Sequence, residues 1–232
     1  MILWLRSALF MVWFLIATTI LSLVFLPVLV LPRSATVWLA RLWSRATFWG
    51  LKVFAGVGWE IRGTPPTGAV LVASKHMSMW DTMALYLALD APAIVLKRSL
   101  LFIPFYGWFV WKATAIAIDR SAGAAALRKM SHAAKTVLRE GRPILIFPEG
   151  TRKRPGAAPD YKPGVAGLYA MLEVDCVPVA LNSGVHWTGF FKRPGTIVLE
   201  FLEPIPGGMK RSAFMTMLEE RVETATNRLL AA

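Results

Sequence analysis

The chain has 232 residues, 56% of them hydrophobic and 17% charged, with 26 Lys and Arg against 14 Asp and Glu for a formal charge of +12. Soluble domains run at about 45–50% apolar and about 25% charged, so this is not the composition of an ordinary soluble globule, and the many large apolar side chains exclude disorder. One cysteine, Cys176, excludes a disulfide framework and a cysteine-based zinc cluster, and three histidines (His76, His132, His186) leave little for a multi-histidine metal site.

Residues 7–32 carry no charge between Arg6 and Arg33. As one helix they would run about 39 Å, enough to cross a hydrocarbon core of about 30 Å. From Ser34 to Gly56 the only charges are Arg41, Arg45 and Lys52. At about 100° per residue these fall within about 40° of one another, a narrow cationic stripe on a helix that is apolar elsewhere and reads as sunk in a lipid interface. The sequence admits two topologies. In one, residues 7–32 span the membrane with the basic flank cytoplasmic; in the other, both helices form a hairpin in one leaflet, bent at Pro27 and Pro32. Residues 1–58 are therefore expected to be an N-terminal two-helix membrane element and residues 59–232 a separate α/β domain on the cytoplasmic side.

From residue 59 onward, short β-rich runs alternate with helical stretches. Expected strands are Trp59–Arg62, Ala69–Ser74, Ala93–Lys97, Thr114–Ile118, Pro143–Phe147, Cys176–Leu181 and Thr196–Phe201. Expected helices lie near 80–90, 100–112, 121–140, 163–173 and 210–230, and 152–163 reads as a loop. Several strands are apolar throughout, as strands covered on both faces are. The alternation predicts an α/β fold with a mainly parallel, twisted sheet flanked by helices. In such a sheet, reactive groups gather beyond the carboxyl ends of the strands.

Four segments stand at such ends. In Ser74–Asp81 (SKHMSMWD), His76 follows an apolar strand and Asp81 falls in the first turn of the next helix, with Ser78 as its cap. A carboxylate holding one ring N–H of His76 would leave the other nitrogen free as a base, although a structural His–Asp contact fits the spacing as well. With no G-x-S-x-G pattern in the chain, a base acting on a substrate hydroxyl fits better than a covalent enzyme. In Ile146–Arg152 (IFPEGTR), the amides around Gly150 together with Arg152 can grip a phosphate, or form a plain surface turn. In Ile116–Arg120 (IAIDR), Arg120 can bind a second phosphate or pair with Asp119. Cys176–Leu181 (CVPVAL) reads as structural, as do His132 and His186.

In this order and at these separations, the four segments resemble the lysophosphatidic acid acyltransferase family (1-acylglycerol-3-phosphate O-acyltransferases) over roughly residues 58–205. Its H-x-x-x-x-D motif falls on His76 and Asp81, its G-x-I-x-I-D-R motif on Thr114–Arg120, its F-P-E-G-T-R motif on Phe147–Arg152 and its V-P-V motif on Val177–Val179. Its K-K-E-L…I-P…G-W segment is matched by Leu96–Trp108 and places Lys97 at the basic position. Three residues depart from the pattern: Lys75 stands for an Asn, Thr114 for a Gly and Ser99 for an acid. The Lys75 ammonium is expected to act on His76 or to touch a phosphate.

The resemblance implies an enzyme that moves an acyl group from an acyl thioester, acyl-CoA or acyl carrier protein, to the sn-2 hydroxyl of lysophosphatidic acid, giving phosphatidic acid. It implies His76 and Asp81 as catalytic residues. It implies Lys97, Arg120, Glu149, Gly150, Thr151 and Arg152 as substrate-binding residues, with Glu149 positioning Arg152 or the acceptor's glycerol. No metal and no bound cofactor are implied. Membrane lipids are expected partners and nucleic acid is not. The alternatives are the same chemistry on another lyso-lipid, or a lipid-binding membrane protein without turnover. The expected place is a bacterial inner membrane.

Overall fold

A computed structural model describes residues 1–119 and 123–232. The chain opens with α1 (Ile2–Val24), a single 3₁₀ turn (Leu26–Val30) and α2 (Arg33–Gly50), which runs into one π-helical turn at Leu51–Ala55. The uncharged run 7–32 is thus not one helix. Pro27 has no N–H to continue the α ladder, and the chain turns back at Leu31–Pro32. The π turn ends on Gly56 at φ +70°, a left-handed position that suits glycine.

Seven strands form the main sheet among the described residues: β1 (Val57–Arg62), β2 (Leu71–Ser74), β3 (Ala93–Lys97), β4 (Ile116–Ile118), β5 (Ile144–Ile146), β6 (Cys176–Leu181) and β9 (Gly195–Phe201). Their order is β1-β9-β6-β2-β5-β3-β4, and every neighbouring pair is parallel except β6 and β9. The helices are α3 (Met79–Ala88), α4 (Tyr106–Lys112), α5 (Gly123–Arg139), α6 (Gly164–Leu172), a short α7 (Ser183–His186) and α8 (Arg211–Ala231). Between α7 and β9, β7 (Trp187–Thr188) and β8 (Phe191–Lys192) pair as a small hairpin that the sequence pattern did not reveal. The helix expected over 100–112 is split into a 3₁₀ turn (Arg98–Phe102) and α4, because Pro104 interrupts it.

Side chains alternate between two cores, as the strand period requires. Leu71, Ala73, Ile144 and Ile146 face α5, α6 and α8. Val72, Leu145, Val177 and Val179 face α3 and, behind it, Phe10 of α1 and Phe48 of α2. The first 58 residues therefore share a core with the α/β layer.

The hairpin is held by Trp13 Nε1 donating to the Ala46 carbonyl at 2.9 Å, by Trp43 Nε1 donating to Thr18 Oγ1 at 2.9 Å, and by the Phe25–Trp38 edge contact. At its open end Arg6 donates to the Phe54 carbonyl at 3.1 Å. Arg41 corrects the expectation of a lipid-facing stripe. It reaches the Leu89 carbonyl (3.1 Å) and Asp90 (3.3 Å) at the end of α3, while Arg45 and Lys52 are exposed.

This topology places a switch point between β2 and β5. The chain leaves β2 for β3 on one side and leaves β5 for β6 on the other. The helices that follow, α3 and α6, lie on opposite faces of the sheet. A crevice opens where two such connections part.

Candidate active site

The turn after β2 carries His76, and α3 begins three residues later. Ser78 caps α3: its Oγ accepts from the Trp80 amide at 3.2 Å, and Asp81 accepts the Ser78 amide at 2.8 Å, a reciprocal capping box. The cap turns the Asp81 carboxylate back toward the loop. His76 Nδ1 lies 3.0 Å from Asp81 Oδ2, which also accepts the Met77 amide at 2.7 Å. A carboxylate only accepts, so Nδ1 carries a proton, and in the neutral imidazole this leaves the Nε2 lone pair available. Asp81 is fully buried, whereas His76 keeps a side chain 12% exposed, with its ring stacked on Phe147 at 3.9 Å between centroids. Nε2 makes no hydrogen bond among the described residues.

Asp81 Oδ1 is held from a third direction. The Ser183 hydroxyl at the start of α7 donates to it, and Ser78 Oγ lies 3.0 Å from the same oxygen. Sequence reasoning missed Ser183. The available signal was its place just beyond the carboxyl end of β6, but only the β6–β2 pairing brings that end beside His76.

The turn after β5 carries the other half. Gly150 sits at φ +66° and its amide donates to the Phe147 carbonyl at 2.9 Å, which turns the chain sharply. The Lys153 amide then donates to the His76 carbonyl at 2.8 Å, so the two turns are stitched backbone to backbone. Thr151 and Arg152 are exposed. Arg152 lies close enough to Tyr106 that its charge opposes the rise that burial imposes on the Tyr106 hydroxyl. Lys97 is exposed at the end of β3, two strands from β2, or roughly 10 Å at about 4.8 Å per strand. Arg120 lies outside the described residues; the strand before it, β4, adjoins β3.

Two expectations are corrected. Lys75 makes no approach to an exposed anion. Its side chain is 2% exposed and its Nζ bonds Glu149 Oε1 at 2.8 Å and Glu223 Oε1 of α8 at 2.7 Å. Glu149, 1% exposed, is accordingly turned into the protein and not toward Arg152. Burial pushes its carboxyl above the ordinary range, and Lys75 pulls the other way. The physical reason is that a charge carried by a strand end between two helix layers needs a partner inside the protein. The Cys176 thiol, fully buried, is pushed up by burial and is a poor nucleophile.

Residues of α1, α2, α3, α4 and β3 line an apolar pocket of about 150 Å³ that is partly open to the surface. Leu21, Leu39, Trp43, Met83, Phe109 and Val110 are among its walls, together with Thr82, which follows Asp81 in the chain, and Tyr106, which feels the Arg152 charge.

The family model described as Acyltransferase matches residues 60–182. A 1-acyl-sn-glycerol-3-phosphate acyltransferase of Pseudomonas aeruginosa is 37% identical over 159 residues, which cover 67% of this chain and 62% of that relative. The mouse (Mus musculus) 1-acyl-sn-glycerol-3-phosphate acyltransferase alpha is 31% identical over 162 residues, 66% of this chain and 57% of the relative. The matches thus take in about six-tenths of these relatives' own length. The crystal structure of the 1-acyl-sn-glycerophosphate acyltransferase PlsC from Thermotoga maritima shares the fold, with a TM-score of 0.80 at 21% identity over 98% of this chain and 97% of that one.

Proposed function

Because the chain belongs to the Acyltransferase family, we propose that it moves a fatty acyl group from an acyl thioester to the sn-2 hydroxyl of 1-acylglycerol-3-phosphate, giving phosphatidic acid. The observation that carries this reading is His76, held through Nδ1 by a buried carboxylate and with Nε2 unbonded among the described residues, beside the Gly150–Arg152 turn. Nε2 takes the hydroxyl proton as the oxygen attacks the thioester carbonyl. The C–S bond breaks, and the departing sulfur takes the proton from the imidazolium. General-base help is worth about 10²–10⁴ in rate, and alignment of the two reactants supplies much of the rest. Arg152, exposed on the turn after β5, holds the acceptor's phosphate, and Lys97 and Arg120 supply further positive charge to it. The apolar cavity takes the acyl chain being transferred.

The reading extends to the membrane. The outward face of α1 exposes Leu5, Leu9, Val12, Ile16, Ile20 and Leu23, and α1 is long and apolar enough to cross a bilayer. Yet α1 packs on α2 through Trp13 and Thr18 and on the π turn through Arg6, and α2 is tied to the α/β layer by Arg41 and by Arg33, which pairs with Glu140 at 3.1 Å. These contacts support a reading in which the hairpin is seated in one leaflet, with the catalytic layer on the cytoplasmic side of a bacterial inner membrane. Both the acceptor and the product are lipids, so this seating delivers them at headgroup level.

The test is thiol release from acyl-CoA, and from acyl carrier protein, by purified protein given a panel of lyso-acceptors. Release that depends on lysophosphatidic acid and is lost in a folded His76→Ala variant is the expected result. Near-normal turnover in that variant defeats the mechanism, and preference for another lyso-lipid defeats the choice of acceptor.

A further inference from the structure

The segment from Glu149 to Tyr161 contains the turn with Gly150, Thr151 and Arg152, and one oxygen of α8 meets its Tyr161 end directly and its Glu149 end through Lys75. Glu223 Oε1 accepts from Lys75 Nζ at 2.7 Å, and the same ammonium holds Glu149 at 2.8 Å. Glu223 Oε1 also accepts from the Tyr161 hydroxyl at 3.0 Å. The base of the segment is closed by the Lys162 amide donating to the Pro148 carbonyl at 2.9 Å. Lys75 precedes His76, so the ammonium that pins the start of the segment is attached to the chain that carries the base. Glu223 lies outside residues 60–182, the span of the family match.

We propose that Lys75 and Glu223 are positioning residues that fix the Glu149–Tyr161 strap, and with it Arg152, against the His76 turn. Lys75 does this from the catalytic turn and Glu223 from α8. Two carboxylates around one buried ammonium, with a tyrosine hydroxyl on the shared oxygen, form a unit whose members lose partners together. No member touches the acceptor. Their effect is on where the phosphate-binding turn stands, which places it in acceptor binding more than in the chemical step.

The inference borrows its assay from the acyl-transfer reading, and the two fail separately. Glu223→Gln keeps the shape of the side chain and removes its charge. It is expected to raise the lysophosphatidic acid KM about tenfold and its equilibrium Kd alike, with kcat within about threefold of wild type. Hydrogen exchange of amides 149–161 should quicken in the same variant. Lys75→Met strands two carboxylates and is expected to cost about 10²-fold or more in kcat/KM. Adding Glu223→Gln to it should cost less than the product of the two single effects. Glu220→Gln, exposed on the same helix, is the control and should match wild type. If Glu223→Gln binds and turns over lysophosphatidic acid as wild type does, the inference is overturned, whether or not its Tm has fallen. A wild type that releases no thiol defeats the acyl-transfer reading, and the Kd comparison still decides this one.

Discussion

Five polar contacts converge on the two oxygens of Asp81, and two carboxylates close on Lys75. Along the α1–α2 hairpin the contacts between the two helices are chiefly aromatic rings and two indole N–H groups, and the arginine contacts lie at its open end and on the α/β layer. The difference has a physical cause. Hydrogen bonds and charges fix angles and distances within tenths of an ångström, which a proton transfer needs. Aromatic packing fixes area and shape, which suits a surface that must bury lipid and line an apolar cavity. Substitutions in the first region should remove chemistry and leave the fold. Substitutions in the second should remove stability and leave the chemistry of each folded molecule.

Asp81→Asn is the hardest test of that division. An amide puts an N–H₂ among donors and no longer favours the Nδ1–H form of His76, so kcat is expected to fall by about 10² or more while the circular dichroism spectrum holds. A melted fold would mean that the capping box, and not His76, is what Asp81 chiefly serves. In the hairpin, Gly50→Ala is the counterpart. A Cβ there would stand 2.0 Å from Trp13 Cδ1, so the indole must leave its place on Ala46. Overpacking of this kind costs about 1–3 kcal/mol, seen as a lowered Tm, with turnover per folded molecule little changed. A loss of kcat at full stability would show the hairpin reaching into the chemical step.

Ser183→Ala sharpens the polar side further. It removes one donor from a carboxylate that keeps the Met77 and Ser78 amides, so a loss of about tenfold in kcat is expected, from a charge-assisted bond worth about 1.5–3 kcal/mol. An unchanged rate would assign Asp81's orientation to the α3 cap alone.

The smallest effect lies where the two regions meet. Lys192 is fully buried, its Nζ on the Gly189 and Phe190 carbonyls and 4.6 Å from the Trp187 ring, and burial lowers its pKa to about 8. Between about 8 and the ordinary lysine value near 10.5, the folded chain has shed this proton and the unfolded chain still holds it, so stability gains as pH rises through that window. The Tm difference between wild type and Lys192→Met should move in the wild type's favour from pH 8 to pH 10. A flat difference would mean that the carbonyls and rings offset the burial cost.

Much of the α/β layer was legible because strand and helix periods are local. β3 and β6 fall where alternation and apolar runs place them, and His76 and Asp81 could be paired from a five-residue spacing that one helix cap closes. The break at Pro27 was one of the two topologies that the sequence admitted, whereas the split at Pro104 was written in the proline position but masked by continuous apolarity. Ser183 and Glu223 were not legible, because nothing local to either residue marks its partner.

The amino-acid order by itself determined the alternation of elements, the two turns that bear His76 and Arg152, and the apolar N-terminal region, since each depends on neighbours within a helical turn or a strand. Only the tertiary structure decided that Lys75 faces inward to Glu149 and Glu223, that Ser183 reaches Asp81, and that Arg41 binds the end of α3. Those contacts join residues 48 to 148 positions apart, and such pairs exist only after sheet order and helix layering have brought separate strand ends to one edge.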